Sequence, residues 1–402
     1  MSGIVIVGAG QAGAALAAKL RGLNHAGPLT LIGAETAPPY QRPPLSKAYL
    51  LGEMELERLY LRAPAFWSDH DVALRLGAHV DGIDPLAKTL SVGGETLSYD
   101  RLVLTTGARA RALPASVDGD LGNVFTVRTL ADVDHMAPRF VKGARALIVG
   151  GGYIGLEAAA VAAKMGLSVT LVEAAPRILQ RVAAPETSAY FRKLHMDHGV
   201  TIIEGVGLDR LLGQGVVSGA RLADGREVAA DLVIVGIGIL PNTELAEAAG
   251  LVIENGIRTD EFGRTSDPSI WSAGDCASFP WRGGRIRLES VGNAIDQAEC
   301  VAENLLGANR PYEAKPWFWS DQYDVKLQIA GLNSGYDQIV TRAGEDGAVS
   351  FWYYKGEHLL AVDAMNDSRA YIIGKRLIEG AKSPHPTVIQ DPATDLKALL
   401  KA

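Results

Sequence analysis

A glycine pattern that occurs twice places the strongest constraint on how this chain of 402 residues can fold. In the first copy, Gly8, Gly10 and Gly13 follow a β-branched run and precede a segment of good helix formers. In a strand, turn and helix of this kind, the first glycine permits a tight turn and the second lets a pyrophosphate approach the backbone. The third lets helix and strand pack closely, and the helix N-terminus offers free N–H groups to phosphate. The first copy therefore predicts a dinucleotide-binding unit.

The second copy makes that prediction much stronger, because one isolated match is weak evidence. Gly150, Gly152 and Gly155 follow the short apolar run 146–149 and precede a predicted helix that extends through Met165. The next predicted strand, 169–172, ends in an acidic residue. Together these features predict a complete βαβ unit.

The acid of this second unit bears on which nucleotide it binds. Glu173 comes eighteen residues after Gly155, where a carboxylate hydrogen-bonds a ribose 2′-hydroxyl and repels a 2′-phosphate. NADH is therefore favoured over NADPH. Arg177 and Arg181 follow and weaken this preference, unless they lie on a solvated helix start or hold the adenine ribose or pyrophosphate.

A second feature of the sequence also occurs twice, which indicates a duplicated domain. An apolar strand ending in a small-residue turn occurs at 102–108 and again at 231–240. After Pro311 the composition changes, and strand-like segments are followed by a predicted helix at 369–379. We therefore predict an α/β protein with two Rossmann-like dinucleotide-binding domains of the glutathione-reductase-like type and a C-terminal α+β domain. The predicted boundaries are 1–110 with 237–314 for the first, 111–236 for the second and 315–402 for the third.

Composition excludes several classes of protein. The net charge of −7 argues against a general nucleic-acid binder, and the longest apolar run, 232–240, is far too short to span a membrane. A cytoplasmic protein is the default expectation. The two cysteines, Cys276 and Cys300, form no C-x-x-C motif, so neither a dithiol redox site nor a zinc site is expected.

Two charged residues in the first half of the chain are candidate functional residues, and each also has a non-functional interpretation. Glu35 follows the predicted strand 29–32 near the distance at which an acid binds a ribose hydroxyl, although it could be an exposed loop carboxylate. Lys47 lies at the start of a predicted short helix, 46–51, where the helix dipole disfavours a cation. An anionic or electron-rich neighbour would explain it, and a solvated lysine is the alternative.

A second group of candidates lies between residues 265 and 323. Asp275 ends an Ala-x-Gly-Asp turn, which can aim a carboxylate at a sugar alcohol or can be an ordinary turn. Val291 precedes a predicted helix, 294–306, whose N-terminus would stabilise an anionic flavin ring at its N1–C2=O edge. The aromatic run 317–323 is either core or a partly exposed Trp or Tyr beside a flavin.

In their order and spacing, these motifs resemble the bacterial ferredoxin reductases that serve cytochrome P450 and dioxygenase systems. The resemblance covers residues 4 to about 365 and is most specific at 42–50, 149–157, 231–242, 265–276 and 317–323. It implies FAD contacts from the loop Gly8 to Gly13, including Ala12, and from Lys47, Val80, Arg128, Asp275 and Val291. It implies NADH contacts from Gly150, Gly152, Ile154, Gly155, Glu173, Arg181 and Gly238.

The resemblance also implies catalytic roles. Lys47 would lie near flavin N5 and pair with Glu157, and Trp319 would approach the flavin from the third domain. One departure concerns the FAD ribose, because relatives often place its acid where this chain has Ala34. Glu35 then substitutes from the next position, or the contact is lost.

The function implied is electron transfer from NADH through FAD, as a two-to-one electron converter, to a [2Fe–2S] ferredoxin of a cytochrome P450 or other oxygenase. A rubredoxin reductase or a reductase of a small organic acceptor would have the same motifs, and a redox-sensing binding protein is an alternative of another class. Ferredoxins are usually acidic, so a basic patch should steer docking. The candidates, which could equally be scattered on a solvated face, are Arg282, Arg285, Arg287 and Lys326.

Overall fold

A computed structural model describes residues 3–401 of the chain. The chain divides into two compact units, each formed by several segments. Unit 1 comprises Met1–Gln41, Glu55–Arg109 and Ile239–Pro316, and unit 2 comprises Arg42–Met54, Ala110–Gly238 and Trp317–Ala402. The three-domain boundaries given above remain a prediction.

The strands of the described residues begin at Gly3, directly before the first β-branched run, and continue to the C-terminal sheet. In chain order they are β1 (Gly3–Val7), β2 (Leu29–Gly33), β3 (Val72–Leu76), β4 (Val80–Asp84), β5 (Thr89–Val92), β6 (Glu95–Leu104), β7 (Ala108–Ala110), β8 (Val124–Phe125), β9 (Arg145–Val149), β10 (Ser168–Glu173), β11 (Thr201–Glu204), β12 (Leu208–Gln214), β13 (Val216–Leu222), β14 (Glu227–Ala229), β15 (Leu232–Val235), β16 (Ile239–Pro241), β17 (Ile257–Arg258), β18 (Ile270–Ser272), β19 (Ala277–Trp281), β20 (Gly284–Ile286), β21 (Trp317–Gln322), β22 (Val325–Gly331), β23 (Gln338–Ala343), β24 (Val349–Lys355) and β25 (His358–Met365).

The helices alternate with these strands in both units. The α-helices are α1 (Gln11–Gly22), α2 (Ala65–Asp69), α3 (Ala115–Asp118), α4 (Leu130–Met136), α5 (Tyr153–Lys164), α6 (Pro185–Asp197), α7 (Glu244–Ala248), α8 (Val291–Leu305), α9 (Ser368–Glu379) and α10 (Pro386–Gln390). Short 3₁₀ helices occupy Pro43–Ser46, Leu56–Arg58, Ala137–Arg139 and Ala398–Leu400.

In unit 1 the first glycine turn follows the central strand of a sheet. The sheet has the order β3-β2-β1-β6-β5-β4, and β18 pairs with β6. Strand β1 runs parallel to both neighbours, with Ile6 opposite Leu31 on one side and Val103 on the other. One core packs apolar residues of α1 and α8 against this sheet. The carboxyl ends of β1 and β18 therefore lie at one edge, where α1 begins.

Unit 2 contains the second glycine turn, which follows the middle strand of a parallel sheet ordered β11-β10-β9-β15-β8. Beside it in sequence, β12, β13 and β14 form a small antiparallel sheet. The C-terminal part of the same unit is an antiparallel sheet ordered β21-β22-β25-β24-β23, and α9 contributes to its core. The predicted fold class is confirmed.

Some predicted boundaries are wrong for local reasons. The predicted helix 46–51 is absent: a 3₁₀ helix ends at Ser46, and Lys47 leaves helical geometry with φ −138° and ψ −114°, so turns follow. Helix α8 begins at Val291 rather than at 294, because the Ser290 hydroxyl accepts a hydrogen bond from the Asn293 N–H and caps it earlier. The predicted strand 231–240 is divided between β15 and β16.

Candidate functional site

The three glycines of the first glycine turn have different steric surroundings. Gly8 has φ +115°, a conformation that L side chains rarely adopt. A Cβ on Gly13 would lie 2.0 Å from the Gly8 carbonyl oxygen, so α1 could not pack against the turn. A Cβ on Gly10 would meet no protein atom within 4 Å. The middle glycine thus faces open space, where a ligand can approach the backbone.

The second glycine turn repeats this geometry residue by residue. Gly150 has φ +104°, and a Cβ on Gly155 would lie 2.1 Å from the Gly150 carbonyl oxygen. A Cβ on Gly152 would again meet nothing within 4 Å. Helices α1 and α5 both begin without a side-chain cap and without an acidic residue in the first turn. Both turns therefore fit a pyrophosphate, which would use the N–H groups left free there.

The region around the first turn includes residues that the sequence did not single out. Thr105 is buried, and its hydroxyl donates to the Gly8 carbonyl oxygen at 2.8 Å, which holds the turn against the end of β6. Gln297 on α8 is also buried, and its Oε1 accepts from the Gly274 N–H at 2.9 Å. Both contacts join segments far apart in sequence, so no local spacing could have predicted them.

The predicted ribityl-binding residue Asp275 lies in a turn that packs against the first glycine turn's helix. A Cβ on Gly274 would lie 2.9 Å from the Ala12 Cβ, so the close approach of these segments needs a glycine. Asp275 is half-buried, and Val291 is the first residue of α8. Within unit 1, the fold therefore brings Ala12 next to the Asp275 turn.

The other predicted FAD contacts differ in their surroundings. Glu35 Oε2 accepts a hydrogen bond from the Tyr40 hydroxyl at 2.6 Å, so the carboxylate is held in place two residues after β2. Val80 is buried in the core of unit 1. In unit 2, the Arg128 N–H donates to Asp132 Oδ2 at 3.0 Å, and the Arg128 carbonyl oxygen accepts from Arg42 at 2.6 Å.

The second nucleotide turn is closed by its acid. Glu173 Oε2 accepts from the Gly151 N–H and Oε1 accepts from the Ala175 N–H, each at 2.7 Å. Arg177 is not oriented for a ligand, because its guanidinium donates to the Ser188 hydroxyl and to the Ala183 carbonyl oxygen. Because Arg177 is engaged elsewhere, the acidic residue at this turn disfavours a 2′-phosphate.

The remaining predicted NADH contacts lie near the same turn of unit 2. Ile154, the second residue of α5, is a large apolar side chain with 43% exposure. Gly238 has φ +103°, and a Cβ there would lie 3.7 Å from the Arg181 guanidinium. Arg181 itself is exposed. The side chains of Ile154 and Arg181 are therefore accessible to a ligand.

The predicted pair of Lys47 and Glu157 is present in unit 2. Lys47 Nζ lies 3.0 Å from Glu157 Oε1, and the two side chains are 17% and 2% exposed. The Ser46 hydroxyl donates to Glu157 Oε2 at 2.8 Å and the Ser320 hydroxyl donates to Oε1 at 2.7 Å. Burial raises the pKa of the Glu157 carboxyl, while Lys47 and the two hydroxyls oppose that rise. The anionic neighbour expected for Lys47 is thus a buried carboxylate.

Trp319 lies beside this pair. Its ring centroid is 5.9 Å from Lys47 Nζ, and it stacks on Trp317 with centroids 5.5 Å apart. The indole is only half-buried, on strand β21. The aromatic run is therefore not simply core, because it presents a partly exposed indole next to the buried ion pair.

The predicted basic docking residues are not equivalent. Arg285 donates to the carbonyl oxygens of Thr259 and Ser278, and Arg287 contacts Glu289 and the Asp275 carbonyl oxygen. Both guanidinium groups thus help to hold the fold. Arg282 is exposed, with its guanidinium 4.5 Å from the Trp281 ring centroid, and Lys326 is exposed on β22.

Across residues 3–401, no helix is long and apolar enough to cross a membrane. The same residues contain no cluster of His, Cys, Asp or Glu suited to a metal ion. Cys276 and Cys300 are both buried free thiols.

Comparison with known proteins agrees with this geometry. The family model described as pyridine nucleotide-disulphide oxidoreductase matches residues 2–298, and a model described as reductase C-terminal matches residues 317–400. A ferredoxin–NAD(P)⁺ reductase of a Sphingomonas species is 44% identical, and the match covers 98% of this chain and 96% of the relative.

Two solved structures match over nearly the full length. The covalent complex of putidaredoxin reductase with putidaredoxin has a TM-score of 0.96 and 40% identity, covering 100% of this chain and 98% of the other. The ferredoxin reductase for the CYP199A2 system of Rhodopseudomonas palustris also has a TM-score of 0.96 and 40% identity, covering 99% of each chain. With two nucleotide turns of equal geometry and a family model that matches most of its length, the chain belongs to the pyridine nucleotide-disulphide oxidoreductase family.

Proposed function

We propose that this chain is an FAD-dependent oxidoreductase that takes electrons from NADH and passes them to a ferredoxin. The observation that carries the proposal is the pair of glycine turns with uncovered middle glycines, Gly10 and Gly152. Two such turns in one chain provide for two dinucleotides, one a flavin and the other a nicotinamide. Full-length similarity to ferredoxin reductases supports the same activity.

The chemistry that bound FAD supplies is acceptance of a hydride and release of its electrons one at a time. The chain's own residues bind, orient and provide charge. For FAD we propose contacts from Gly8, Gly10, Ala12, Gly13, Glu35, Lys47, Val80, Arg128, Asp275 and Val291. For NADH we propose contacts from Gly150, Gly152, Ile154, Gly155, Glu173, Arg181 and Gly238.

Three residues are proposed to act at the reacting ring. Lys47 would lie close to flavin N5, where its positive charge would favour acceptance of a hydride. Glu157 holds the Lys47 ammonium at 3.0 Å, so the cation is fixed before the hydride arrives. Trp319 provides a partly exposed aromatic surface within 5.9 Å of that ammonium. Hydride transfer itself needs no general acid or base, so these roles are electrostatic and positional.

The electron acceptor is proposed to be a [2Fe–2S] ferredoxin that serves a cytochrome P450 or another oxygenase. Support comes from the structures matched above, one a complex with putidaredoxin and one a reductase of a P450 system. Because NADH is a cytoplasmic reductant, the cytoplasm is the compartment we propose.

The decisive experiment combines a spectrum with rapid kinetics. The purified protein should show flavin absorbance, and stopped-flow mixing should give faster bleaching with NADH than with NADPH. A screen of purified iron–sulfur carriers should then find a [2Fe–2S] ferredoxin that reoxidises the protein. A protein that stays colourless after incubation with FAD would refute the proposal. Rapid bleaching with no reoxidation by any carrier would instead favour a redox-sensing role.

A further inference from the structure

Beyond the pair of Lys47 and Glu157, a chain of hydrogen bonds extends through buried groups of unit 2. The Ser320 hydroxyl that donates to Glu157 also accepts from Gln322 Nε2 at 3.2 Å. Ser320 and Gln322 lie on the same face of β21, and both are fully buried. The amide of Gln322 therefore provides a buried donor to the Ser320 oxygen.

The chain continues from β21 to α6. His195 Nε2 lies 2.8 Å from Gln322 Oε1, and the Tyr323 hydroxyl lies 3.3 Å from His195 Nδ1. His195 is fully buried near the end of α6. The series is thus Tyr323, His195, Gln322, Ser320 and Glu157, with Lys47 at the far side of the carboxylate.

The carboxylate end determines the direction of every bond. An ionised Glu157 can only accept, so the single Ser320 proton points toward it. The Ser320 oxygen must then accept from Gln322, which turns the amide nitrogen toward Ser320 and the amide oxygen toward His195. His195 must carry its proton on Nε2, and its bare Nδ1 accepts from the Tyr323 hydroxyl.

His195 can take this role because it is neutral. The pKa of His195 is lowered to about 4, mainly by burial and to a smaller extent by the neighbouring His198, while the Gln322 contact opposes this shift. A neutral imidazole has one donor and one acceptor nitrogen, which is what a chain running in one direction requires. A protonated ring would have two donors, and Nδ1 could no longer accept from Tyr323.

We propose that His195 and Gln322 are positioning residues for electron transfer, which fix the Ser320 donor on Glu157 and thereby hold Lys47 in place. This inference rests on the proposed function, in which Lys47 lies at the flavin. Without the amide held by His195, the Ser320 hydroxyl is free to donate elsewhere. Glu157 then has one donor fewer, its pKa rises, and Lys47 loses its charged partner at a higher pH.

The test uses the FAD-loaded protein. It compares variants that interrupt the hydrogen-bond series with a variant that preserves it. Gln322→Glu places a second acceptor against the single Ser320 proton, and His195→Leu removes the group that orients the amide. We expect each to slow flavin reduction by NADH about tenfold, as expected for loss of an oriented charge-assisted hydrogen bond worth about 1.4 kcal/mol. The low-pH limb of the rate profile should move upward by about one unit.

His195→Gln should restore most of the rate and the pH profile that His195→Leu loses, because a glutamine amide can donate to Gln322 in place of Nε2–H. His198→Leu is the matched control. His198 stacks on Tyr323 with ring centroids 3.7 Å apart, and its Nδ1 lies 2.8 Å from the Leu194 carbonyl oxygen, outside the series from Tyr323 to Glu157, so its loss should leave the profile in place.

A second measurement does not depend on turnover. Nitrogen NMR of the histidine side chains should find His195 neutral at pH 7 with its proton on Nε2, in the FAD-loaded protein and in the protein stripped of FAD. A proton on Nδ1 would overturn the assigned direction. If Lys47→Ala slows reduction but His195→Leu and Gln322→Glu keep the wild-type rate and pH profile, this inference fails alone. If Lys47→Ala also reacts like wild type, the proposed role of Lys47 fails.

Discussion

The ammonium of Lys47 and the carboxylate of Glu157 form a largely buried ion pair at 3.0 Å, in which the acid is also held by two serine hydroxyls. Removing one partner of such a pair leaves the other charge buried, which costs about 3 kcal/mol. Lys47→Met should therefore lower the urea midpoint of unfolding, measured with saturating FAD so that loss of cofactor does not contribute. Lys47→Met with Glu157→Gln should recover much of the loss. A double variant as unstable as Lys47→Met would show that the uncompensated charge is not the cause.

The two middle glycines offer a matched pair of substitutions. Gly10 and Gly152 have ordinary backbone angles and open space at Cβ, so alanine at either position should leave the fold intact. Gly10→Ala should weaken FAD retention, and Gly152→Ala should raise the KM for NADH, because each Cβ would occupy the approach to a pyrophosphate. Both are measured by FAD titration and steady-state kinetics. Gly22→Ala, an exposed helical control with equally open space, should change neither. Exchange of the two effects would mean that the cofactors are assigned to the wrong turns.

Nucleotide preference should depend on Glu173. Glu173→Ala should reduce the ratio of kcat/KM for NADH over NADPH by about tenfold, the change that 1.4 kcal/mol of transition-state binding produces. Glu204→Ala is a suitable control, because Glu204 also accepts a backbone N–H, that of Ile178, but is the last residue of the neighbouring strand β11. An unchanged ratio in Glu173→Ala would assign discrimination to another group.

A buried carboxyl away from the nucleotide turns should make stability depend on pH. Asp363 Oδ2 accepts from the hydroxyls of Tyr353 and Thr187, and burial raises the pKa of Asp363 to about 6. The folded protein thus binds a proton that the unfolded chain has already released, so stability falls as pH rises from about 4 to about 6. Asp363→Asn cannot ionise, so its melting temperature relative to wild type should increase between pH 5 and pH 8. A constant difference across that range would exclude Asp363 as the source.

Ferredoxin docking should depend on Arg282 and not on Arg285 or Arg287, whose guanidinium groups donate to other residues of unit 1. Arg282→Glu should lower kcat/KM for ferredoxin at low salt and flatten its dependence on ionic strength, because steering between opposite charges is screened by salt. Reduction of ferricyanide by NADH should remain the same, which makes it the internal control. Arg285→Gln should instead lower thermal stability, since that guanidinium donates to two backbone carbonyl oxygens. Equal salt responses of ferredoxin and ferricyanide reduction would rule out steering at this position.

The sequence predicted what local sterics determine. Gly8, Gly13, Gly150 and Gly155 each follow from a backbone angle or a close approach, so their spacing within a strand, turn and helix pattern identified them. The pair of Lys47 and Glu157 was expected only through resemblance, because more than a hundred residues separate its members. Ser320, Gln322 and His195 were not foreseen at all. The contact between His195 and Gln322 joins α6 to β21, which are far apart in sequence. No local sequence pattern predicts that these two elements lie together.

Helix α5 follows the second glycine turn directly and also carries Glu157, the partner of Lys47. Gly152 caps α5 and Glu157 lies five residues later, about 7.5 Å along the axis. A helix is stiff over so short a length, so the two positions act as the ends of a single rod. A displacement of α5 along its axis would therefore move the Gly152 turn and the Glu157 carboxylate together, without an intervening loop.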